Sequence, residues 1–379
     1  MTEKLSTLLR EQADTPTFAV PDLDAIVRAG DRRARRRTVA LASGVAAGVA
    51  ASAVVAGLVI AAVAPDDTTG LAVATNPPEV APASPLDTAV PTWAISSALY
   101  TPDAQIETGR TIDYFVRTAV GYVFADATGA VYAVDADGVD LVGQTNADRL
   151  RLVSDPDGDL AGWVDSSGTK PAFVVLDQRT GQITRDDSHT TPGMGLLADE
   201  DDPAFLYALD GSTAYWRDTR GAVAVDVTTG ATRVVDPDAV NGYDIYTVGA
   251  GKVIFSGEDE RALIGTTRAD ATPLAIVGDL PILSPDGRYL SSPAESAFVL
   301  DTTTGSQVTV GGPNLAGGGY DWIDDDTVLV FGSEGPDEPT AILQCTIGAG
   351  ACLQAADPQL PPGEPDAGFL LPGQGSTDE

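Results

Sequence analysis

Short apolar runs recur along residues 92–356, and many of them end in a turn that contains an aspartate and a glycine. Three of these turns share the pattern Asp-x-x-Thr-Gly, at residues 177–181, 226–230 and 301–305. Each run is too short for a stable helix but has the length of one β-strand. The pattern therefore predicts a series of strand–turn–strand units.

The polar residues of these turns have a structural explanation. An aspartate side chain accepts hydrogen bonds from the amides of its own turn, and glycine tolerates the positive φ that such turns need. We therefore predict turn residues, and not catalytic residues, at the following positions: Asp135, Asp177, Gly181, Asp226, Gly230, Asp301 and Gly305.

The units repeat with a regular period. Equivalent positions lie at residues 135, 177, 226, 266, 301 and 345. Their mean spacing of about 42 residues falls within the range of about 40–50 residues that is typical of propeller blades. The prediction is an all-β domain, a six- or seven-bladed β-propeller over residues 92–356. Residues 93–100 are expected to supply either an extra strand that closes the ring or part of a seventh blade.

The N-terminal part has a different pattern, because residues 38–64 contain no charged side chain. A helix of about 20 apolar residues is long enough to cross the hydrocarbon core of a bilayer. Five arginines lie immediately before this segment: Arg32, Arg33, Arg35, Arg36 and Arg37. By the positive-inside rule they predict an N-terminal transmembrane α-helix, with the N-terminus in the cytoplasm and residues 65–379 outside.

A cleaved signal peptide is the alternative for this segment. The charged region before it would be unusually long, and its apolar stretch exceeds the usual length of about 7–15 residues. Pro65 would also follow directly after the Ala-Val-Ala sequence at 62–64. An uncleaved anchor in the cell membrane fits these features better.

Three further segments flank the predicted helix and propeller. Residues 1–37 form a cytoplasmic stub, with short amphipathic helices predicted at 3–13 and 21–30 that are too short to be stable alone. Residues 65–91 are a linker rich in proline and alanine, which is expected to be extended and semi-rigid. Residues 357–379 are rich in proline and acidic residues and are predicted to be a disordered tail.

The net charge restricts the classes of partner. The chain has 55 acidic and 22 basic residues, and its formal net charge is −33. A surface of this charge repels nucleic acid and anionic lipid headgroups. We therefore expect no nucleic-acid partner, and we interpret the acidic surface as a means of solubility or an adaptation to salt, and not as a binding site.

The two cysteines, Cys345 and Cys352, both lie on the predicted outer side of the membrane. An oxidising compartment favours a disulfide between them. The residues that separate them include two glycines, which suits a hairpin loop that brings the two thiols face to face. A metal site would need further histidine or cysteine ligands, and the sequence has none nearby.

Residues 284–290, Ser-Pro-Asp-Gly-Arg-Tyr-Leu, resemble the blade motif of TolB-like and WD-repeat-like β-propellers. The order of arginine-rich junction, apolar helix, acidic propeller and late cysteine pair resembles a class of actinobacterial single-pass, membrane-anchored propeller proteins. This resemblance implies an architecture and leaves the activity open. The stub also resembles that of some anti-sigma factors, although it lacks the zinc-binding His/Cys motif of that family.

Few residues are candidates for catalysis or metal binding. His189 is the only histidine, and no Gly-x-Ser-x-Gly motif accompanies it, so we interpret it as a loop residue and not as the base of a hydrolase. Residues 155–159 superficially resemble a calcium loop, but the glycine and the final glutamate are not where that loop needs them. We predict no catalytic residue, no cofactor and no metal site.

These features favour a binding or scaffold module outside the cell, with an extracytoplasmic protein, peptide or glycan as its partner. A second hypothesis is a transmembrane sensor whose cytoplasmic stub binds a regulator such as a sigma factor, because two amphipathic segments lie beside the membrane. A carbohydrate-active enzyme is a third hypothesis, since acidic loop residues of a propeller can converge over one channel.

The predicted topology can be tested with protease on intact spheroplasts. Because residues 65–379 are expected outside, protease should remove the propeller and spare the N-terminus. Immunoblotting against tags at the two termini measures both products, and lysed spheroplasts show that the N-terminal tag is cleavable. Full protection of the propeller in intact spheroplasts would contradict the topology.

Overall fold

The computed structural model describes residues 72–73, 86, 88–196, 203–257, 261–277, 281–291, 298–312, 314–333, 340–356 and 369–373. Strands within these residues form seven antiparallel sheets, the blades of a β-propeller. The all-β prediction is confirmed, and the number of blades is seven. The described residues also contain a short 3-10 helix, Arg268–Asp270.

Each blade has four strands in radial order. From the centre outwards the strands are as follows: blade 1, β29 (Phe369–Leu370), β2 (Trp93–Ile95), β3 (Ala98–Tyr100) and β4 (Gln105–Glu107); blade 2, β5 (Tyr114–Arg117), β6 (Tyr122–Ala125), β7 (Ala130–Asp135) and β8 (Gly138–Gln144); blade 3, β9 (Leu152–Ser154), β10 (Leu160–Asp165), β11 (Ala172–Asp177) and β12 (Gln182–Asp186); blade 4, β13 (Phe205–Asp210), β14 (Thr213–Asp218), β15 (Gly221–Asp226) and β16 (Thr232–Asp236); blade 5, β17 (Ile245–Gly249), β18 (Lys252–Ser256), β19 (Arg261–Gly265) and β20 (Thr272–Val277); blade 6, β21 (Ile282–Leu283), β22 (Tyr289–Ser291), β23 (Phe298–Asp301) and β24 (Ser306–Thr309); blade 7, β25 (Ala316–Trp322), β26 (Thr327–Ser333), β27 (Ala341–Thr346) and β28 (Cys352–Ala356).

A two-residue strand from the predicted linker extends blade 3. Strand β1 (Ala72–Val73) pairs antiparallel with β12 at the outer edge of that blade, with Ala72 opposite Arg185. Backbone pairing of this kind covers an otherwise open sheet edge. Part of the linker therefore belongs to the blade.

The hydrophobic core lies between neighbouring blades. Each of seven buried clusters joins two adjacent sheets, and together they run once around the ring. Between blades 3 and 4, for example, the rings of Phe173 and Trp216 stack with their centroids 4.6 Å apart. Because both faces of a blade are covered, strands such as β6 and β15 are buried along most of their length. This explains why the sequence shows continuous apolar runs and not a strict alternation.

The ring closes within blade 1, which combines strands from both ends of the propeller. Ala94 and Ile95 in β2 pair with Leu370 and Phe369 in β29. Residues 93–100 are thus part of a seventh blade, the second of the two predicted alternatives. The assignment of all of 357–379 to a disordered tail is wrong for Phe369 and Leu370, because burial of Leu370 against blade 2 and backbone pairing with β2 hold them in place.

An ion pair spans blade 1 and links its two neighbours. Arg117 at the end of β5 donates two hydrogen bonds to the carboxylate of Asp321 in β25, at 3.1 and 3.2 Å. The same guanidinium donates to the carbonyl oxygens of Thr88 and Trp322, and only 3% of its side chain is exposed. Burial alone would lower the pKa of Arg117, but Asp321 raises it, so the guanidinium stays charged.

Hydrogen bonds also join consecutive blades through the turns between their first and second strands. The amide of Ala119 donates to the carbonyl oxygen of Gly158 at 2.7 Å, which joins blades 2 and 3. Asp155 and Asp210 each accept a hydrogen bond from an amide of the next blade, at 2.9 and 2.7 Å. These contacts fix the rotation of one blade relative to the next.

The predicted membrane segment cannot be followed in this structure. The five arginines at 32–37 and the apolar residues 38–64 lie outside the described residues. A search of the described residues finds no helix with the length and apolar character of a membrane span. The topology therefore stays a prediction from the sequence.

Removing the buried cation should destabilise the closed ring. The variant Arg117→Met leaves the Asp321 carboxylate buried without its counter-charge, and we expect a loss of about 3–5 kcal/mol in the free energy of unfolding. Denaturant titration measures this loss. The double variant Arg117→Met/Asp321→Asn should recover part of it, and the exposed Arg233→Met is the matched control. Equal losses in the single and double variants would contradict a role for the ion pair.

Candidate binding site in the propeller channel

The order of strands gives the propeller two different faces. In a four-stranded antiparallel blade, the turns after the first and third strands lie at one end. The turn after the second strand and the connection to the next blade lie at the other. We call these ends the turn face and the connector face. The polar residues of the turn face mainly form hydrogen bonds within the turns, whereas several on the connector face line a cavity.

Most of the polar residues predicted from the repeat lie on the turn face. In the turns after β11, β15 and β23, the Oδ1 atoms of Asp177, Asp226 and Asp301 accept hydrogen bonds from backbone amides at 2.8–3.0 Å. The glycines at the ends of these turns have φ between 69° and 72°. In blade 2, Oδ1 of Asp135 accepts from the amides of Asp137 and Gly138. These carboxylates therefore accept hydrogen bonds within their own turns.

Blade 5 closes the equivalent turn differently. After β19, the carboxylate of Asp270 accepts hydrogen bonds from the hydroxyl and amide groups of Thr266 and Thr267. These bonds lower the pKa of Asp270 to about 2, the hydroxyl of Thr266 making the largest contribution. The charge of this aspartate is therefore also used within a turn.

Blade 7 closes its turn with a disulfide, as predicted. Cys345 in β27 lies directly opposite Cys352 in β28, and the two sulfur atoms are bonded. In the repeat, Cys345 takes the position that an aspartate holds in blades 2, 3, 4 and 6. Gly311 approaches the disulfide so closely that a Cβ atom there would lie 2.6 Å from Sγ of Cys352, and its φ is 67°. The disulfide thus packs into the core between blades 6 and 7.

The other residues considered for chemistry lie apart from one another. His189 is exposed in the connection between blades 3 and 4, where its carbonyl oxygen accepts a hydrogen bond from the amide of Thr219. Asp155, in the segment that resembles a calcium loop, forms the turn after β9, and burial raises its pKa. A search of the described residues for three clustered metal-ligating side chains finds no group.

A central channel of about 360 Å³ runs between the innermost strands. All seven blades contribute to its wall, including blade 1 through Pro372 and Gly373, which follow β29. Four tyrosines line it: Tyr114, Tyr207, Tyr246 and Tyr320. Burial raises the pKa of Tyr320 well above its usual value, and within the described part of the chain its hydroxyl has no hydrogen-bond partner.

A second cavity, of about 270 Å³, adjoins this channel on the connector face, and we call it the mouth pocket. It is built by the connections from blade 2 to blade 3, from blade 3 to blade 4 and from blade 4 to blade 5. Its walls consist of the following residues: Tyr114, Thr145, Asn146, Arg149, Leu150, Arg151, Val153, Val164, Leu196, Ala204, Phe205, Leu206, Gly242, Tyr243, Ile245 and Tyr246. Tyr114, Arg151, Val153 and Tyr246 also line the channel, so the two spaces meet there.

Arg151 is one of two arginines in the wall of the mouth pocket, the other being Arg149. Its Nε and Nη2 atoms donate to the carbonyl oxygens of Leu206 and Tyr207, at 3.2 and 3.3 Å. Its guanidinium carbon lies 4.5 Å from the ring centroid of Phe205. Burial raises the pKa of Tyr114, and the nearby charge of Arg151 opposes this rise. The guanidinium is thus held in a fixed position beside a cavity whose wall combines apolar side chains with polar ones such as Asn146 and Arg149.

No protein-family model matches the chain, and the comparison with curated proteins found no significant match. Among solved structures, the computationally designed Ika8 protein is 11% identical, with a TM-score of 0.40, over 73% of this chain and 99% of that one. TolB from Acinetobacter baumannii is 14% identical, with a TM-score of 0.34, over 71% and 67%.

A third similar structure is PorZ, described as an essential surface component of the type-IX secretion system of Porphyromonas gingivalis. It is 11% identical, with a TM-score of 0.36 over 74% of this chain, which spans 39% of PorZ. Similarities of this size are too distant to indicate what the present protein binds.

The sequence repeat does not indicate the mouth pocket. Its residues come from connections that differ between blades, whereas the repeat selects what the blades share. One signal was present in the sequence: Arg149 and Arg151 follow closely after the outer strand of blade 2 in a chain with few basic residues. The sequence could not show that three connections meet around them.

The disulfide should contribute measurably to stability because it closes a short loop. Replacing both Cys345 and Cys352 with alanine is expected to lower the free energy of unfolding by about 2–3 kcal/mol. Denaturant titration of the wild type with and without a reducing agent should give a similar difference, and the reducing agent should leave the double variant unchanged. A wild type that is insensitive to reduction would contradict this prediction.

Proposed function

We propose that this protein is a membrane-anchored, extracytoplasmic propeller that binds a protein, peptide or glycan through its connector face. The observation that carries this proposal is the mouth pocket, where three inter-blade connections surround a cavity that shares part of its wall with the channel. A pocket that combines apolar wall residues with fixed polar groups is a common form of ligand site.

The contrast between the two faces supports this choice. On the turn face, aspartates and glycines are engaged in their own turns and in contacts between blades. On the connector face, Tyr243 is 50% exposed beside the mouth pocket, and Val240 in the same connection is 51% exposed. Exposed aromatic residues beside a cavity are typical of recognition surfaces.

The anchor defines where this binding would take place. The arginines at 32–37 and the uncharged segment 38–64 support a single membrane span with the N-terminus inside. The acidic surface keeps the domain soluble and away from anionic lipid headgroups.

Site-specific photocrosslinking in cells tests which face binds. A benzophenone amino acid at Tyr243 samples the connector face, and the same group at the exposed Thr228 samples the turn face. We expect a discrete crosslinked product from position 243 and none from position 228. Mass spectrometry identifies the partner.

A second experiment tests whether the crosslinked partner binds at the mouth pocket. The identified partner, once purified, should bind the full-length wild type and should lose affinity for Leu150→Arg, which places a charge in the apolar wall. The matched control is Leu141→Arg, since Leu141 is 65% exposed on the outer strand of blade 2. Crosslinks from position 228 alone, or equal binding to both variants, would contradict the proposed face.

A further inference from the structure

Arg151 is a cation whose immediate contacts do not neutralise it. It is half-buried, and its guanidinium donates hydrogen bonds to two backbone carbonyl oxygens. Among the described residues, no carboxylate forms an ion pair with it. By contrast, Arg117 has Asp321, Arg185 has Asp165 and Arg220 has Asp218. A charge that is partly removed from water is costly unless a counter-charge approaches it.

The geometry of Arg151 leaves donors for such a counter-charge. A guanidinium has five N–H groups in a planar fork, and the two hydrogen bonds to Leu206 and Tyr207 use one from Nε and one from Nη2. The contact with the Phe205 ring holds the plane of the guanidinium in place. Arg151 lines both the mouth pocket and the channel. A planar anion that enters the pocket therefore meets a donor set that is already oriented.

The residues around Arg151 indicate which chemical groups the rest of the ligand carries. The wall of the mouth pocket includes Leu150, Val153, Val164 and Ile245, which suit an apolar side chain. The innermost strands β5, β9 and β13 have no further strand on their inner side. Part of these inner edges is occupied, because the carbonyl oxygen of Phe115 accepts a hydrogen bond from the amide of Gly373 and those of Leu206 and Tyr207 accept from Arg151. The remaining backbone groups of these edges are suited to hydrogen bonds with an extended chain. The apolar residues of the wall and the remaining edge groups favour a peptide over a sugar, whose many hydroxyls need polar partners.

We propose that the mouth pocket binds a peptide carboxylate on Arg151, with an adjacent apolar side chain of the same peptide in the pocket. This inference rests on the proposed function and names the ligand chemistry of the same site. The carboxylate comes either from the C-terminus of the peptide or from an acidic side chain.

Calorimetric titration of the full-length protein in detergent tests this chemistry. The probes are acetyl-Gly-Ser-Gly-Leu with a free carboxylate, the same peptide as its amide, acetyl-Gly-Glu-Leu-amide and glucuronate. We expect the free carboxylate to bind roughly tenfold or more tightly than the amide, because a charged hydrogen bond is lost. Binding of the glutamate peptide at similar strength would identify the side chain as a second source of the carboxylate.

Variants assign the effect to Arg151. Arg151→Gln should abolish the difference between carboxylate and amide peptides, and Arg151→Lys should retain part of it because the charge remains. Arg233→Gln makes the same change in net charge on the exposed strand β16 and should leave the difference intact. Thermal melting of each variant confirms that it is folded. The comparison of the two peptides on the wild type needs no variant at all.

Three results would overturn the proposal. The first is equal binding of the carboxylate and amide peptides to the wild type, and the second is binding of glucuronate without binding of either peptide. The third concerns the acidic run at residues 199–202, in the connection from blade 3 to blade 4. If peptide binds only after these four residues are changed to amides, the chain's own acids satisfy Arg151. Crosslinking from position 243 combined with any of these results would leave the proposed function standing.

Discussion

Pairing between β2 and β29 is the interaction on which the rest of this propeller depends. Each blade buries its two faces against its neighbours, so a ring with one blade missing would expose two apolar faces at once. Blade 1 avoids this by taking one strand from the C-terminal part of the chain and three from the N-terminal part. The Arg117–Asp321 ion pair strengthens the same region, because it joins blades 2 and 7 across blade 1.

Closure of the ring also creates the space for binding. Seven sheets that are wedged around an axis leave their innermost strands without a neighbour, and the channel is the gap between them. The turn face is occupied by interactions that set the blade geometry, including the Asp-centred turns and the disulfide. The connector face is freer to vary, because a connection has only to reach the next blade. A binding site can therefore form more readily on the connector face.

The two arginines that line the channel, Arg117 and Arg151, differ in whether a carboxylate pairs with them. We assign the first a role in the fold and the second a role in binding. Arg117 is buried with a bidentate carboxylate partner, so its charge is used within the fold. Two carbonyl oxygens and an aromatic ring hold the guanidinium of Arg151 in position, but these groups do not neutralise its charge. The mouth pocket thus presents an oriented cation in a chain with a net charge of −33.

The sequence by itself determined the strand–turn–strand repeat, the chemistry of its turns and the disulfide, because each of these depends on residues close together in the chain. The Asp-x-x-Thr-Gly pattern shows which residues make a turn wherever the turn lies. Blade number, the role of Phe369 and Leu370, the partner of Arg117 and the mouth pocket were decided only by the tertiary structure. Each of them joins residues from distant parts of the chain, as Arg117 and Asp321 do, and no local pattern records which distant segments the closed ring brings together.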